Sequence, residues 1–148
     1  MTPPPAESSE SAAPISLVPI GAVDSRLTDV GATPNQGDEG APDAWLRLEP
    51  SVLPALEGVA PGDELIVVTW LDRARRDVLR VHPRGDCSRP EQGVFSTRSP
   101  HRPNPIGLHR VRVISIADGS LLVSDLEAVA GTPILDLKPV LSSEVSER

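Results

Sequence analysis

Gly93–Leu108 reads GVFSTRSPHRPNPIGL, and how this stretch can be built decides the fold. Pro100, Pro103 and Pro105 fix three φ angles and remove three backbone donors, so the run is neither a helix interior nor a central strand. It reads as a stiff, extended loop. Arg98 and Arg102 lie four apart in it, Asn104 is held between two prolines, and Gly107 ends it. A loop that is already rigid loses little entropy when two guanidiniums and an amide close on a ligand. Loops of that kind sit on rigid scaffolds. Gly93–Phe95 before the loop and Ile106–Ile116 after it read as the strands that supply one.

Working outward, the other segments are also short and β-like. Ile106–Ala117 carries Val111, Val113, Ile114 and Ile116, and Asp118-Gly119 is a hairpin turn of the kind that matches strand twist. Ser120–Asp125 returns as its partner. Glu64–Leu71 is the most apolar run, short and β-branched, and reads as a buried central strand. Ala44–Leu48, Asp77–Val81 and Ile134–Leu141 read as further strands, the last with Ile134, Asp136 and Lys138 on one face. Ile15–Val23 is a strand with Gly21 marking a bulge. Ser51–Leu56 fits one or two helical turns with Ser51 as cap. Seven or eight short strands, many turns and almost no helix predict an all-β, mainly antiparallel fold. The expected form is a small closed or nearly closed β-barrel with short helical turns. No glycine-rich turn links a strand to a helix, so the fold is non-Rossmann and any nucleotide must be held by loops at a barrel rim.

A length of 148 residues predicts one domain, able to bury roughly two-thirds of its unfolded surface. Residues 1–14 read as a polar tail, 15–141 as the folded domain and 142–148 as a second tail. Cys87 is the sole cysteine, which excludes an internal disulfide and fits a reducing cytoplasm. No apolar run has the length of a membrane span or a signal core. The histidines His82, His101 and His109 match no metal-ligand spacing, and no metal is expected. The net charge of −7 argues against a general nucleic-acid binder, yet it is unevenly spread. The stretch from Arg73 to Arg112 holds ten arginines, no lysine and three acids, a net +7 that leaves −14 for the rest. A basic middle in an acidic chain predicts one localised anion site.

At the proline loop the chain resembles the TsaA-like or TrmO family, whose hallmark is a GVFxTRSxxRPNPIGL block. A second family block, G-T-P-x-x-D-x-K-P, is matched by Gly131, Thr132, Pro133, Asp136, Lys138 and Pro139. The resemblance covers roughly Ile15 to Leu141. It implies a small β-barrel methyltransferase that uses S-adenosylmethionine, acts on the threonylcarbamoyl-modified adenosine beside the tRNA anticodon, and works as a homodimer. By alignment, the cofactor would be met by Pro34, Asn35 and Gln36, by Asp72 and Arg73, and by Leu126, Glu127, Ala128 and Val129. The chain departs from the family at Asn35 (usually arginine), Asp72 (often histidine) and Val140 (often tyrosine).

Roles follow from chemistry. Arg98 suits the two oxygens of the methionine carboxylate, a match of fork to fork. Backbone groups at Leu108 and residues 126–129 would hold the adenosine, and Glu127 would accept both ribose hydroxyls. Arg102 and Lys138 would meet a substrate phosphate or the threonyl carboxylate, Asn104 would orient the target nitrogen, and Asp136 would accept a proton. Taken without the family, residues 33–36 equally make an ordinary turn, Asp72 and Glu127 strand-end acids, and Asp136 a salt-bridge partner of Lys138. The alternative function is an S-adenosylmethionine-binding protein or a methyltransferase for a small metabolite.

Overall fold

A computed structural model of the chain describes residues 1–4, 12–25 and 42–141. Eight strands are present among the described residues: β1 (Gly21–Asp24), β2 (Ala44–Leu48), β3 (Glu64–Trp70), β4 (Arg80–Val81), β5 (Gln92–Gly93), β6 (Ile106–Ala117), β7 (Ser120–Val123) and β8 (Pro133–Pro139). Six of them close an antiparallel barrel in the order β1-β2-β7-β6-β3-β8, with β8 pairing back onto β1. β4 and β5 form a separate two-stranded ribbon. The all-β, non-Rossmann barrel expected from the strand pattern is therefore the fold, and the only helical elements among the described residues are short 3-10 turns. No helix among them is long and apolar enough to cross a membrane.

Alternation builds the core. Leu65 and Val67 of β3 and Val111 and Val113 of β6 point inward, where they meet Leu46, Leu121, Val123 and Ile134. The 3-10 turn Pro50–Leu56 folds under one end, with Leu56 and Val59 packed on the core. Pro50 starts this turn and Pro54 sits inside it, so it cannot continue as an α-helix. Glu49 rather than Ser51 occupies the capping position, without a side-chain cap bond. Asp118 and Gly119 both have positive φ, as a tight hairpin turn requires.

Several strands differ from their expected extent, each for a local reason. β1 begins at Gly21, not Ile15, because Pro19 has no N–H to enter the ladder. Gly21 marks no bulge, for the β1–β2 register runs unbroken through it. A Cβ there would lie 2.2 Å from the Arg47 carbonyl oxygen, so close approach of β2 demands the glycine. The segment from Asp77 pairs only at Arg80–Val81. Val94–Ser96 forms a 3-10 turn, so the strand expected at Gly93–Phe95 is limited to Gln92–Gly93. In β8 a bulge opposite Val68 and Thr69 makes Leu135 the extra residue. It turns Ile134 inward, onto the face of Leu137 and away from Asp136 and Lys138.

Candidate functional site

Three long connections leave one end of the barrel. β1 ends at Asp24 and β2 begins at Ala44; β3 ends at Trp70 and β6 begins at Ile106; β7 ends at Val123 and β8 begins at Pro133. The registers set these ends in turn around the barrel, with β7 stopping at Val123 opposite Val113 and β6 running on past it to Ile106. Residues 71–105 and 124–132 therefore share a rim, although they are far apart in sequence.

The proline loop is braced by guanidiniums as well as by its prolines. Arg102 donates to the carbonyls of Val94, Thr97 and Ser99 at 3.0–3.2 Å, all within its own loop. Arg76 lies over the Trp70 ring, 5.2 Å from the centroid, and donates to the Pro103 carbonyl at 2.8 Å and Asn104 Oδ1 at 2.9 Å. The Arg75 N–H donates to His101 Nδ1 at 2.9 Å, and the Arg75 carbonyl accepts from the Arg102 N–H at 3.1 Å. Residues 71–77 thus clamp the loop from outside. With Asn104 Oδ1 taken by Arg76, the side-chain NH2 is the group left for a ligand.

β6 supplies the open wall of the site. It pairs with β3 over Ile106–Arg112 and with β7 over Val113–Ala117. Over Ile106–Arg112 its second edge therefore has no strand partner, and residues 124–129 run past it. Arg98 crosses from the proline loop and donates to the Leu108 carbonyl on that edge at 3.3 Å. Along the edge lies an open groove of about 1310 Å³. Seven arginines line it, among them Arg98, Arg110 and Arg112, against Glu64, Asp72, Asp125 and Glu127. The basic segment read from the charge pattern thus gathers along one groove. Arg110, hydrogen-bonded to Glu64 at 2.7 Å, holds that partly exposed carboxyl below its ordinary value, with Arg112 adding to the effect.

Of the residues singled out in the sequence, Asp72, Arg73, Arg98, Arg102, Leu108, Glu127, Ala128 and Val129 line this groove together. The Leu126 side chain is fully buried in the core, so only its backbone is near the rim. Asn104, Asp136 and Lys138 do not line the groove. Asp136 and Lys138 face outward on β8, 2.9 Å from each other. Asp136 borders a second groove of about 790 Å³, which shares Glu64 and Arg110 with the first. Pro34, Asn35 and Gln36 lie outside the described residues.

One group went unrecognised in the sequence as part of the site. His109 is buried between Thr69 and Glu127. The alternation of β6 was the available signal, because period two sets Gly107 and His109 on the inward face with Val111 and Val113.

Fold and groove together define a small antiparallel barrel with a basic groove at one end, walled by β6 and the rim loops and owing nothing to a helix N-terminus. The chain belongs to the tRNA-methyltransferase O N-terminal domain family, whose profile matches residues 22–144. It is 38% identical over 125 residues to a Methanothermobacter thermautotrophicus protein named a probable S-adenosyl-L-methionine-binding protein, covering 84% of this chain and 89% of that one. An Archaeoglobus fulgidus protein of the same name is 40% identical over 129 residues, 87% of this chain, but only 35% of its own length is spanned. The crystal structure of TrmO from Pseudomonas aeruginosa superposes with a TM-score of 0.71 at 29% identity. That match covers 91% of this chain and 60% of the solved one, so the chain spans about three-fifths of that relative.

Proposed function

We propose that this chain is an S-adenosylmethionine-dependent methyltransferase that N-methylates the threonylcarbamoyl-modified adenosine beside a tRNA anticodon, acting in the cytoplasm as a homodimer. One observation carries the reading: an arginine-rimmed groove opens along an unpaired strand edge, with the Glu127 carboxylate in its wall. The donor set fits the cofactor. Arg98 uses one N–H on the Leu108 carbonyl and leaves the rest of its fork for a methionine carboxylate. The open β6 edge at Leu108 and the backbone of residues 126–129 offer groups to an adenine. Glu127 offers a carboxylate to the ribose hydroxyls. The groove volume exceeds what a nucleoside-sized ligand needs and leaves space for part of a second reactant.

The bound cofactor would supply a methyl group on a positively charged sulfur. The remaining work is positioning, which contributes on the order of 7–11 kcal/mol in well-oriented intramolecular reactions. Arg110 and Arg112 at the groove attract the phosphates of the RNA. Arg102 holds the loop in shape, and Asn104, which does not line the groove, donates from its amide to the substrate only if a second copy brings the two together. Asp136 and Lys138 take up their roles as proton acceptor and substrate contact only if a second copy brings them to the groove. Exposed apolar groups beside the groove, Phe95, Leu79, Ile106 and Leu108, favour such a pairing.

The test is calorimetry with S-adenosylmethionine on the wild-type chain and on Arg98→Ala. A charge-assisted contact of this kind predicts about tenfold weaker binding in the variant. Unchanged affinity removes Arg98 from the methionine end, and no uptake by the wild type ends the reading. Relatives named for cofactor binding alone, and a net charge of −7, support the second reading of a binding protein or small-metabolite methyltransferase. Mass spectrometry of tRNA nucleosides from cells with and without the chain separates the two. A steep fall of tRNA affinity with salt would accompany the first reading.

A further inference from the structure

The groove floor holds a polar chain of which only Glu127 has been given a role. Thr69 Oγ1 lies 2.6 Å from His109 Nε2, and His109 Nδ1 lies 2.5 Å from Glu127 Oε1. The order hydroxyl, imidazole, carboxylate is that of a nucleophile-activating triad. Thr69 is wholly buried inside the barrel, however, so no substrate atom reaches its hydroxyl. The chain therefore works outward, each member fixing the next. An ionised carboxylate only accepts, so Nδ1 carries the proton and donates to Oε1, and in the neutral ring Nε2 accepts from the Thr69 hydroxyl. Gly107 makes the room: a Cβ there would lie 2.5 Å from Thr69 Oγ1 and 2.7 Å from His109 Nε2. Glu127 comes from the β7–β8 connection and is joined by this bond to the open edge of β6. Glu127 lines the groove with its side chain 13% exposed, and with Oε1 on His109 the second oxygen, Oε2, is the one available to the groove.

We infer that His109 is a positioning residue that locks the Glu127 carboxylate, with Thr69 behind it, so that Oε2 is a preset acceptor for the ribose diol of the nucleoside cofactor. The inference rests on the cofactor reading above. Its test compares S-adenosylhomocysteine with its 2′-deoxy analogue by calorimetry on the full chain. The wild type should prefer the ribose form about tenfold, the worth of one charge-assisted hydrogen bond. Glu127→Gln, His109→Leu and Gly107→Ala should each shrink that preference to about twofold or less, whereas His109→Asn, whose amide can stand in for Nδ1–H, keeps most of it. Gly107→Ala alters no polar group, so it carries the test if His109→Leu does not fold. A second readout needs no ligand: long-range proton–nitrogen spectra should show a fixed Nδ1–H tautomer that Glu127→Gln releases. A preference lost in Glu127→Gln but intact in folded His109→Leu or Gly107→Ala overturns the inference alone. An imidazole averaging between tautomers in the wild type does the same. Uptake of neither probe by the wild type overturns the cofactor reading and this inference with it.

Discussion

Arg102→Lys separates two jobs for the second arginine of the proline loop. The side chain is half-buried and donates to three loop carbonyls, those of Val94, Thr97 and Ser99. Lysine keeps the charge but cannot span three divergent acceptors, so at least two bonds are lost. At about 1 kcal/mol net for each, the braced loop loses about 2 kcal/mol. The loop can open without unfolding the barrel, so the loss should register locally. The amides to follow are Thr97 N–H, bonded to the Val94 carbonyl at 3.0 Å, and Ser99 N–H, bonded to Thr97 Oγ1 at 3.2 Å. Their hydrogen exchange should accelerate about thirtyfold, which is 2 kcal/mol expressed as an opening equilibrium. Amides of β3 and β6 should be unchanged. If Arg102 instead mainly grips a substrate phosphate, the lysine variant would behave as wild type in exchange and would lose little binding. Wild-type exchange at Thr97 and Ser99 would therefore refute the bracing role.

Three further outcomes test the scaffold. Leu121 is fully buried in the barrel core, and Leu121→Ala should cost about 3 kcal/mol, read as a lower urea midpoint at unchanged slope. Gly21→Ala should cost about 1–3 kcal/mol or more, because the new methyl meets backbone of β2 rather than a side chain that can turn away. The thermal midpoint should be insensitive to that change only if β1 can part from β2 freely. Glu64 is held below its ordinary pKa by Arg110, so its contribution is present above about pH 4.3 and is lost as pH falls through the depressed folded value. Glu64→Gln should therefore show a shallower loss of thermal midpoint on acidification, and added salt should shrink the difference.

Much of the scaffold was legible because its signals are local. The ends of β2 and β6 and the Asp118-Gly119 turn follow from alternation and turn chemistry in a few adjacent residues. Other features are decided by a distant strand. The inward turn of Ile134 depends on a bulge created by pairing with β3, and nothing within β8 announces it. Gly21 reads as a bulge within its own strand, yet the need for glycine comes from the Arg47 carbonyl of the neighbouring strand. The prolines announce a stiff loop, but its outside clamp by Arg76, held over Trp70, joins residues nearly thirty positions apart. Spacing within the loop could not reveal that contact.

The same reasoning explains why the groove is where it is. A barrel of antiparallel strands has no helix N-terminus to hold a charged ligand, so its polar grip must come from unpaired edges and rim loops. Here β6 is long enough to serve two neighbours in succession, β3 by its first half and β7 by its second. Whatever edge it does not share is left with unpaired backbone groups, which a folded chain must satisfy in some way. Arg98 meets one of these at Leu108, and the His109–Glu127 bond ties the passing segment alongside. Stability and binding therefore make opposite demands on the same strand edge. A chain that sealed it with another strand would gain a complete ladder and lose the groove. The arginine-rich stretch runs through the β3–β6 connection and onto β6 itself, both of which flank this opening, so an acidic protein gathers most of its positive charge there.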